Sequence, residues 1–166
     1  MVLGDKTIRE LMKNGLVENM VDVNIQMQHN GVDLTIGDIL IPWEKGVVDF
    51  DNNVRHVPGS HRLPPSEDNM YHLVRYIPYI VKIRERVNLP KNVMALIKTR
   101  SSLLRSGAYI EGAVWDSGYS GSGQVVLNVI NPYGLDLTTN ARICQMVFLE
   151  VDNETSGYDG IYQGEE

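Results

Sequence analysis

One cysteine in 166 residues, Cys144, excludes an internal disulfide. It sits in an apolar run, where a buried and inert thiol is expected, and a chain without disulfides fits a reducing compartment. No stretch approaches the ~18 apolar residues of a membrane-spanning helix, and the N-terminus carries no signal-peptide core. The expectation is a cytoplasmic protein with no membrane partner. Positive charge is also short: 15 Lys and Arg against 21 Asp and Glu leave a net −6. A sequence-blind nucleic-acid binder needs a basic face to displace counterions, so nucleic acid is not expected as a partner. A small polyanion remains possible, because a few local arginines can hold it. The four histidines, His29, His56, His61 and His72, lack zinc-ligand spacing and there is no CxxC. That excludes a zinc deaminase, whose site needs His/Cys/Cys or three cysteines. No repeat and no domain linker interrupt the chain.

What is present reads as short strands after one helix. Asp5 to Asn14 has Ile8, Leu11 and Met12 at helical spacing, with Asp5 able to cap the start and Gly15 able to end it. Val32 to Ile36 is strand-like, and Gly37 with Asp38 suggests a turn. Tyr76 to Ile83 alternates, with Ile77, Tyr79, Val81 and Ile83 on one face. Val93 to Ile97, Val125 to Ile130 and Ile143 to Val151 are further strands. Phe50 to Met70 holds three prolines and no period, as a loop-rich excursion or weak hairpin would. The pattern predicts an all-β sandwich or barrel, mainly β with a short N-terminal helix. A single domain over residues 1–151 and a C-terminal tail over 152–166 are expected. The tail, polar and rich in glycine, would be flexible alone.

Two segments concentrate chemistry. Lys98 to Gly107, KTRSSLLRSG, puts Arg100, Ser101, Ser102 and Arg105 at the turn after an apolar run. Backbone N–H groups, two hydroxyls and two guanidiniums make an anion cradle; the same residues also suit a capped surface helix with solvated arginines. Trp115 to Gly121, WDSGYSG, sets Asp116 three residues before Tyr119 in a Gly/Ser turn. Asp116 can be an acid/base group or simply the start of an Asx-turn. Asp33 is either a ligand-facing carboxylate or a strand-end charge paired with a neighbour. Gln145 alternates with the core residues Ile143, Val147 and Leu149, and an amide so placed needs a partner.

These segments resemble the motifs of the dUTPase and dCTP deaminase superfamily, closest to the archaeal, deaminase-like dUTPases. RSSLLRSG is similar to the second motif, whose serines and arginines hold the triphosphate; GAVWDSGYSG, Gly112 to Gly121, is similar to the third. GVDL around Asp33 resembles the first motif, and Gln145 in ARICQMVF the fourth. YDGIYQGE, Tyr158 to Glu165, resembles the C-terminal segment YxGxYQG, though Ile161 stands where deaminases usually carry lysine. The resemblance implies a dUTPase-like β-clip, a distorted jelly-roll barrel. It implies Asp116 as the base that deprotonates the attacking water and Tyr119 as the ring packed on deoxyribose. It assigns Arg100, Ser101, Ser102, Arg105, Gln145, Tyr162 and Gln163 to the substrate, and Asp33 to a metal, Mg²⁺, through water. A homotrimer with shared sites is implied as well. Because the chain ends at Glu166, a short or absent closing arm is expected.

The resemblance also separates two chemistries. The deaminases need a glutamate on the strand after the third motif, within Val-Leu-Glu; here VVLNVIN, Val125 to Asn131, puts Asn128 there. An amide cannot take up and return a proton. Glu111 is the one nearby carboxylate that could stand in. The expected activity is hydrolysis of dUTP to dUMP and pyrophosphate. A dCTP deaminase or a bifunctional enzyme is the first alternative, and a non-catalytic nucleotide-binding regulator the second.

Overall fold

Alternation of apolar residues builds the strands, and their mutual burial builds the sheet. The computed structural model describes residues 1–165. In chain order the elements are α1 (Asp5–Met12), β1 (Val17–Glu18), α2 (Val23–Gln26), β2 (Met27–Gln28), β3 (Gly31–Pro42), β4 (Ser60–Leu63) and β5 (Met70–Leu73). There follow β6 (Pro78–Ile83), β7 (Arg86–Asn88), β8 (Val93–Thr99), α3 (Ser101–Arg105), β9 (Ala108–Glu111), β10 (Ser120–Gly121), β11 (Gln124–Val129), β12 (Leu135–Thr138) and β13 (Arg142–Glu150). The expected mainly-β class is what the chain adopts.

The main sheet runs β8-β13-β3-β6-β11-β9, with β2 and β4 also paired to β3. Antiparallel register puts Met146 opposite both Val32 and Ile97, and Phe148 opposite Ala95, so inward side chains of neighbouring strands meet in one core. Burying each such large apolar side chain contributes roughly 1.5–3 kcal/mol. The ends of this path approach each other. The Thr99 hydroxyl at the end of β8 donates to the Ile110 carbonyl at 3.1 Å and accepts from the Ile110 N–H at 2.9 Å. One side chain thus stands in for a missing ladder rung, and the sheet becomes a nearly closed barrel, with little free edge.

Strand β3 places the site. Its first six residues are buried on both faces, so Asp33 and Thr35 are buried along with Val32, Leu34 and Ile36. Polar groups so placed need partners. The turn expected at Gly37 is not there. β3 continues to Pro42, and the irregularity is a bulge against β6 between Ile36 and Asp38. A side chain at Gly37 would bring its Cβ to 3.0 Å from the Lys82 carbonyl oxygen, so glycine serves close strand approach. At α1 the cap residue is Gly4, while Asp5 occupies the first turn, where its charge favours the positive end of the helix. The excursion after β3 is closed by a bridge between Val47 and His56. Cys144 is fully buried, and burial pushes its thiol far up, as an inert core thiol requires. Among the described residues no helix is long and apolar enough to cross a membrane.

Candidate active site

The buried Asp33 finds its partners on two other strands' ends. Arg100, the residue between β8 and α3, brings Nε to 3.0 Å from Asp33 Oδ2, and Arg142, the first residue of β13, brings Nη1 to 3.1 Å from the same oxygen. Arg100 Nη1 donates to the Arg142 carbonyl at 3.2 Å, and Arg142 Nη1 also donates to the Ile25 carbonyl at 2.9 Å. The carboxylate's side chain is 3% exposed, while the guanidiniums keep 28% and 30%. Burial pushes the Asp33 carboxyl above its ordinary range, and the two cations pull it part of the way back. The paired-strand reading of Asp33 is therefore the geometry that the fold adopts. Arg142 was not among the residues singled out from the sequence. The signal would have been the need of a buried Asp33 for more positive charge than one arginine supplies.

Beyond Arg100 the chain turns into the short helix α3, with Ser101 and Ser102 exposed in its first turn and Leu103 anchoring it in the core. Arg105 is exposed in its last turn and makes no ion pair with a described residue. Arg100 and Ser102 line a cavity of about 430 Å³ together with Asn140 and Arg142. Gln145 stands in register between Asp33 and Lys98, so the three share a row across β3, β13 and β8. Its amide has no hydrogen bond to a described residue, while its stem packs beside Gly31.

Asp116 lies elsewhere, at the mouth of a second cavity of about 520 Å³. Its carbonyl accepts from the Tyr119 N–H at 3.0 Å, closing a tight turn in which Gly118 takes φ +84. A side chain at Gly118 would be strained and would also strike Gly157, whose Cα lies 2.8 Å from the Cβ position. Asp116 is exposed, and its carboxylate makes no hydrogen bond to a described residue. Tyr119 is 7% exposed and forms one wall. Trp115 meets it edge-on at 5.2 Å between ring centroids, and Tyr158 meets it from another side at 5.5 Å. Burial first, then Glu165, pushes the Tyr119 phenol up to about 12, so it stays protonated as part of an apolar wall. Val57, Val114 and Ile161 complete the apolar lining. Arg100, Ser101, Ser102, Arg105 and Gln145 are not on this lining, so one chain keeps the two clusters apart.

The tail is held against the same turn. Tyr158 N–H donates to the Ser117 carbonyl at 2.8 Å, Gly164 N–H to the Ser120 carbonyl at 2.8 Å, and Ser122 N–H to the Glu165 carbonyl at 2.8 Å. The Gln163 amide accepts from the Ser120 N–H at 3.0 Å and donates to the Gly118 carbonyl at 3.1 Å. Gln163, singled out for the substrate, is thus bound to the turn, and Tyr162 lines the cavity. Trp115, Tyr158, Gln124 and Glu165 also line the cavity, and no motif assigns any of the four a role. Glu111 opens onto a separate depression of about 390 Å³. Asn128, paired with Tyr109 and Pro78 near the end of β11, lines neither cavity.

Residues 2–151 match the model of the family described as dCTP deaminase-like. A Methanosarcina mazei protein named "Probable deoxyuridine 5′-triphosphate nucleotidohydrolase" is 44% identical, over 99% of this chain and 97% of its own. A Methanocaldococcus jannaschii protein named "Deoxyuridine 5′-triphosphate nucleotidohydrolase" is 35% identical, over 99% of both chains. Among solved structures, a 2′-deoxycytidine 5′-triphosphate deaminase from Agrobacterium tumefaciens superposes with a TM-score of 0.68 at 20% identity, a likeness of fold. That match covers 89% of this chain and 47% of the deaminase, so the chain spans about half the deaminase's length. With a family match across nearly the whole barrel and relatives above 30% identity end to end, the chain belongs to the dCTP deaminase-like family.

Proposed function

We propose that this protein is a dUTP diphosphatase, cleaving dUTP to dUMP and pyrophosphate. The observation that carries the reading is the 520 Å³ cavity, where an unpaired carboxylate, Asp116, faces an apolar pocket walled by Tyr119. The names of the archaeal relatives, full-length matches to this chain, give the substrate. Water attacks the α-phosphorus, the bond from that phosphorus to the bridging oxygen breaks, and pyrophosphate leaves. Asp116 accepts the water's proton, a role worth about 10²–10⁴-fold. The Tyr119 ring packs on the deoxyribose and leaves a ribose 2′-hydroxyl without room or a partner.

Arg100, Ser101, Ser102, Arg105 and Gln145 receive the triphosphate in this reading. None of them lines the Asp116 cavity, which supports sites completed between subunits of a homotrimer. The fold is read as one β domain, residues 1–151, with tail 152–166 closing over the base end. Tyr162 contributes to that closure directly, and Gln163 does so by holding the tail to the turn.

The residues do not fit a metal held by the protein alone. Asp33 is committed to two guanidiniums, and among the described residues no group of three or more His, Cys, Asp or Glu could hold an ion. Mg²⁺ belongs to the substrate, as the magnesium complex of the triphosphate, and Asp33 positions Arg100 and Arg142. A cytoplasmic location fits a free buried thiol and a nucleotide substrate. Incubating the purified protein separately with magnesium dUTP and magnesium dCTP tests the reading. Pyrophosphate from dUTP, with no ammonia from dCTP, is expected. Ammonia release at a comparable rate would replace it with a deaminase or a bifunctional enzyme, and binding without turnover with a regulator.

A further inference from the structure

We infer that the side chain of Gln124, locked by Glu165, reads the nucleobase and selects uracil over cytosine. This rests on the assignment of the Asp116 cavity to a deoxypyrimidine nucleotide. Gln124, the first residue of β11, and Glu165, from the tail, both line that cavity. Gln124 Nε2 donates to Glu165 Oε1 at 2.6 Å. An ionised carboxylate only accepts, so the amide nitrogen must be the atom that faces Glu165. That fixes which way round the amide sits, which a free glutamine would leave open. Glu165 is itself held, since its carbonyl accepts from the Ser122 N–H at 2.8 Å and the preceding Gly164 N–H donates to the Ser120 carbonyl.

Once locked, the amide presents a defined pattern. Oε1 has no donor among the described residues and is available as an acceptor. Nε2 keeps a second hydrogen beyond the one given to Glu165. The pyrimidines differ at the edge that such a pair can read. Uracil offers a donor at N3 and an acceptor at O4; cytosine offers an acceptor at N3 and a donor at its 4-amino group. The fixed amide complements uracil with both bonds and sets like against like with cytosine. Flipping the amide would reverse the preference, and Glu165 opposes the flip. Around it the cavity is walled by Val57, Val114, Trp115 and Ile161, so an unmatched polar edge finds little compensation there. The tail thereby does more than cover the base: it sets the orientation of the group that reads it.

Calorimetry with the α,β-imido analogues of dUTP and dCTP, which cannot be cleaved at that bond, tests this apart from turnover. The wild type is expected to prefer the uracil analogue. Gln124→Leu should lower that preference about 10- to 100-fold, mainly by weakening uracil binding. Glu165→Gln should lower it from the other side, because a partner able to donate lets the amide flip, and cytosine binding should rise. A preference unchanged in both variants, or absent in the wild type, overturns the inference. Circular dichroism confirms that each variant is folded, which the exposed position of Gln124 and the half-buried one of Glu165 favour. If the wild type prefers the uracil analogue yet releases no pyrophosphate from dUTP, the hydrolase assignment fails and the base-reading inference stands.

Discussion

Asp33 and Asp116 are both short carboxylates in this barrel, and their surroundings differ at every point. Asp33 lies near the start of β3, 3% exposed, with two guanidiniums on one of its oxygens. Asp116 lies on a turn, exposed, with its oxygens uncommitted and an apolar cavity beside it. A carboxylate whose lone pairs are bound to arginines is a fixed strut. One with free lone pairs at a cavity mouth can accept a proton from a bound water. The two ends of the proposed substrate site are therefore built differently. The phosphate end is set by strand register inside the sheet, and the base end by a turn and a tail that fold onto each other.

The largest test of that contrast removes the free carboxylate. Asp116→Asn should lower kcat about 10²–10⁴-fold while dUTP binding persists, because the amide keeps the shape and loses the base. Near wild-type turnover would take Asp116 out of the mechanism. The same variant tests where the two ends meet. Mixed with Arg105→Ala chains and allowed to exchange subunits, it should regain activity above either variant alone. Activity that never exceeds the better variant would argue for a site completed within one chain.

Removing the paired carboxylate should act on the fold. Asp33→Asn leaves Arg100 and Arg142 facing a neutral amide, and breaking a buried pair costs about 3–5 kcal/mol. Because both arginines keep nearly a third of their surface in water, the low end, about 3 kcal/mol, is expected in urea unfolding. If Asp33→Asn were as stable as wild type and lost only turnover, Asp33 would be a chemical group and the contrast would fall.

The contrast also separates what the amino-acid sequence reveals from what it hides. Period-two alternation made β6, β8, β11 and β13 readable, and the motif segments pointed to Asp33, Arg100, Asp116 and Tyr119. Arg142 was hidden because it meets Asp33 across 109 residues of chain, through a strand pairing that no local pattern announces. Gly37 with Asp38 carries a turn signal, because Gly-Asp usually marks one. Here the surrounding sheet overrode local preference with a bulge. The tail looked flexible because it lacks an apolar period. Its order comes from backbone groups of residues 117–122, which pair with it in space. Gln124 is hidden for a related reason: its role depends on Glu165, 41 residues away.

A smaller effect should come from Tyr119, the wall of the base end. Tyr119→Ala removes the ring that Trp115 and Tyr158 brace, and the space opened is where a ribose 2′-hydroxyl would lie. Turnover of UTP relative to dUTP should rise about 10-fold. Tyr119→Phe, which keeps the ring, should leave the ratio unchanged. A ratio that moves in Phe as much as in Ala would assign sugar selection to the hydroxyl and not to the wall.

The smallest effect concerns a third carboxylate, which extends the buried side of the comparison. Glu85 is fully buried beneath β3 and accepts from the Thr35 N–H at 2.9 Å, the Thr35 hydroxyl at 2.7 Å and the Gln26 amide at 2.6 Å. Gln26 also donates to the Asp33 carbonyl, so this cluster props the strand that carries Asp33. Three donors favour the ionised form, yet burial outweighs them and raises the carboxyl above its ordinary 4.5. The sign follows. Below the ordinary value both folded and unfolded chains hold the proton, and the contribution to stability is at its highest. As pH rises past it, the unfolded chain ionises first, and stability is lost until the folded carboxyl has ionised too. Glu85→Gln has no proton to lose here and forfeits one of the three bonds, a cost of about 1–3 kcal/mol. The stability advantage of wild type over Glu85→Gln, from urea unfolding at a series of pH values, should therefore be greatest at the acid end and shrink as pH rises. An advantage that grew with pH would mean that the three donors outweigh burial, making Glu85 a strut held by hydrogen bonds as Asp33 is held by arginines.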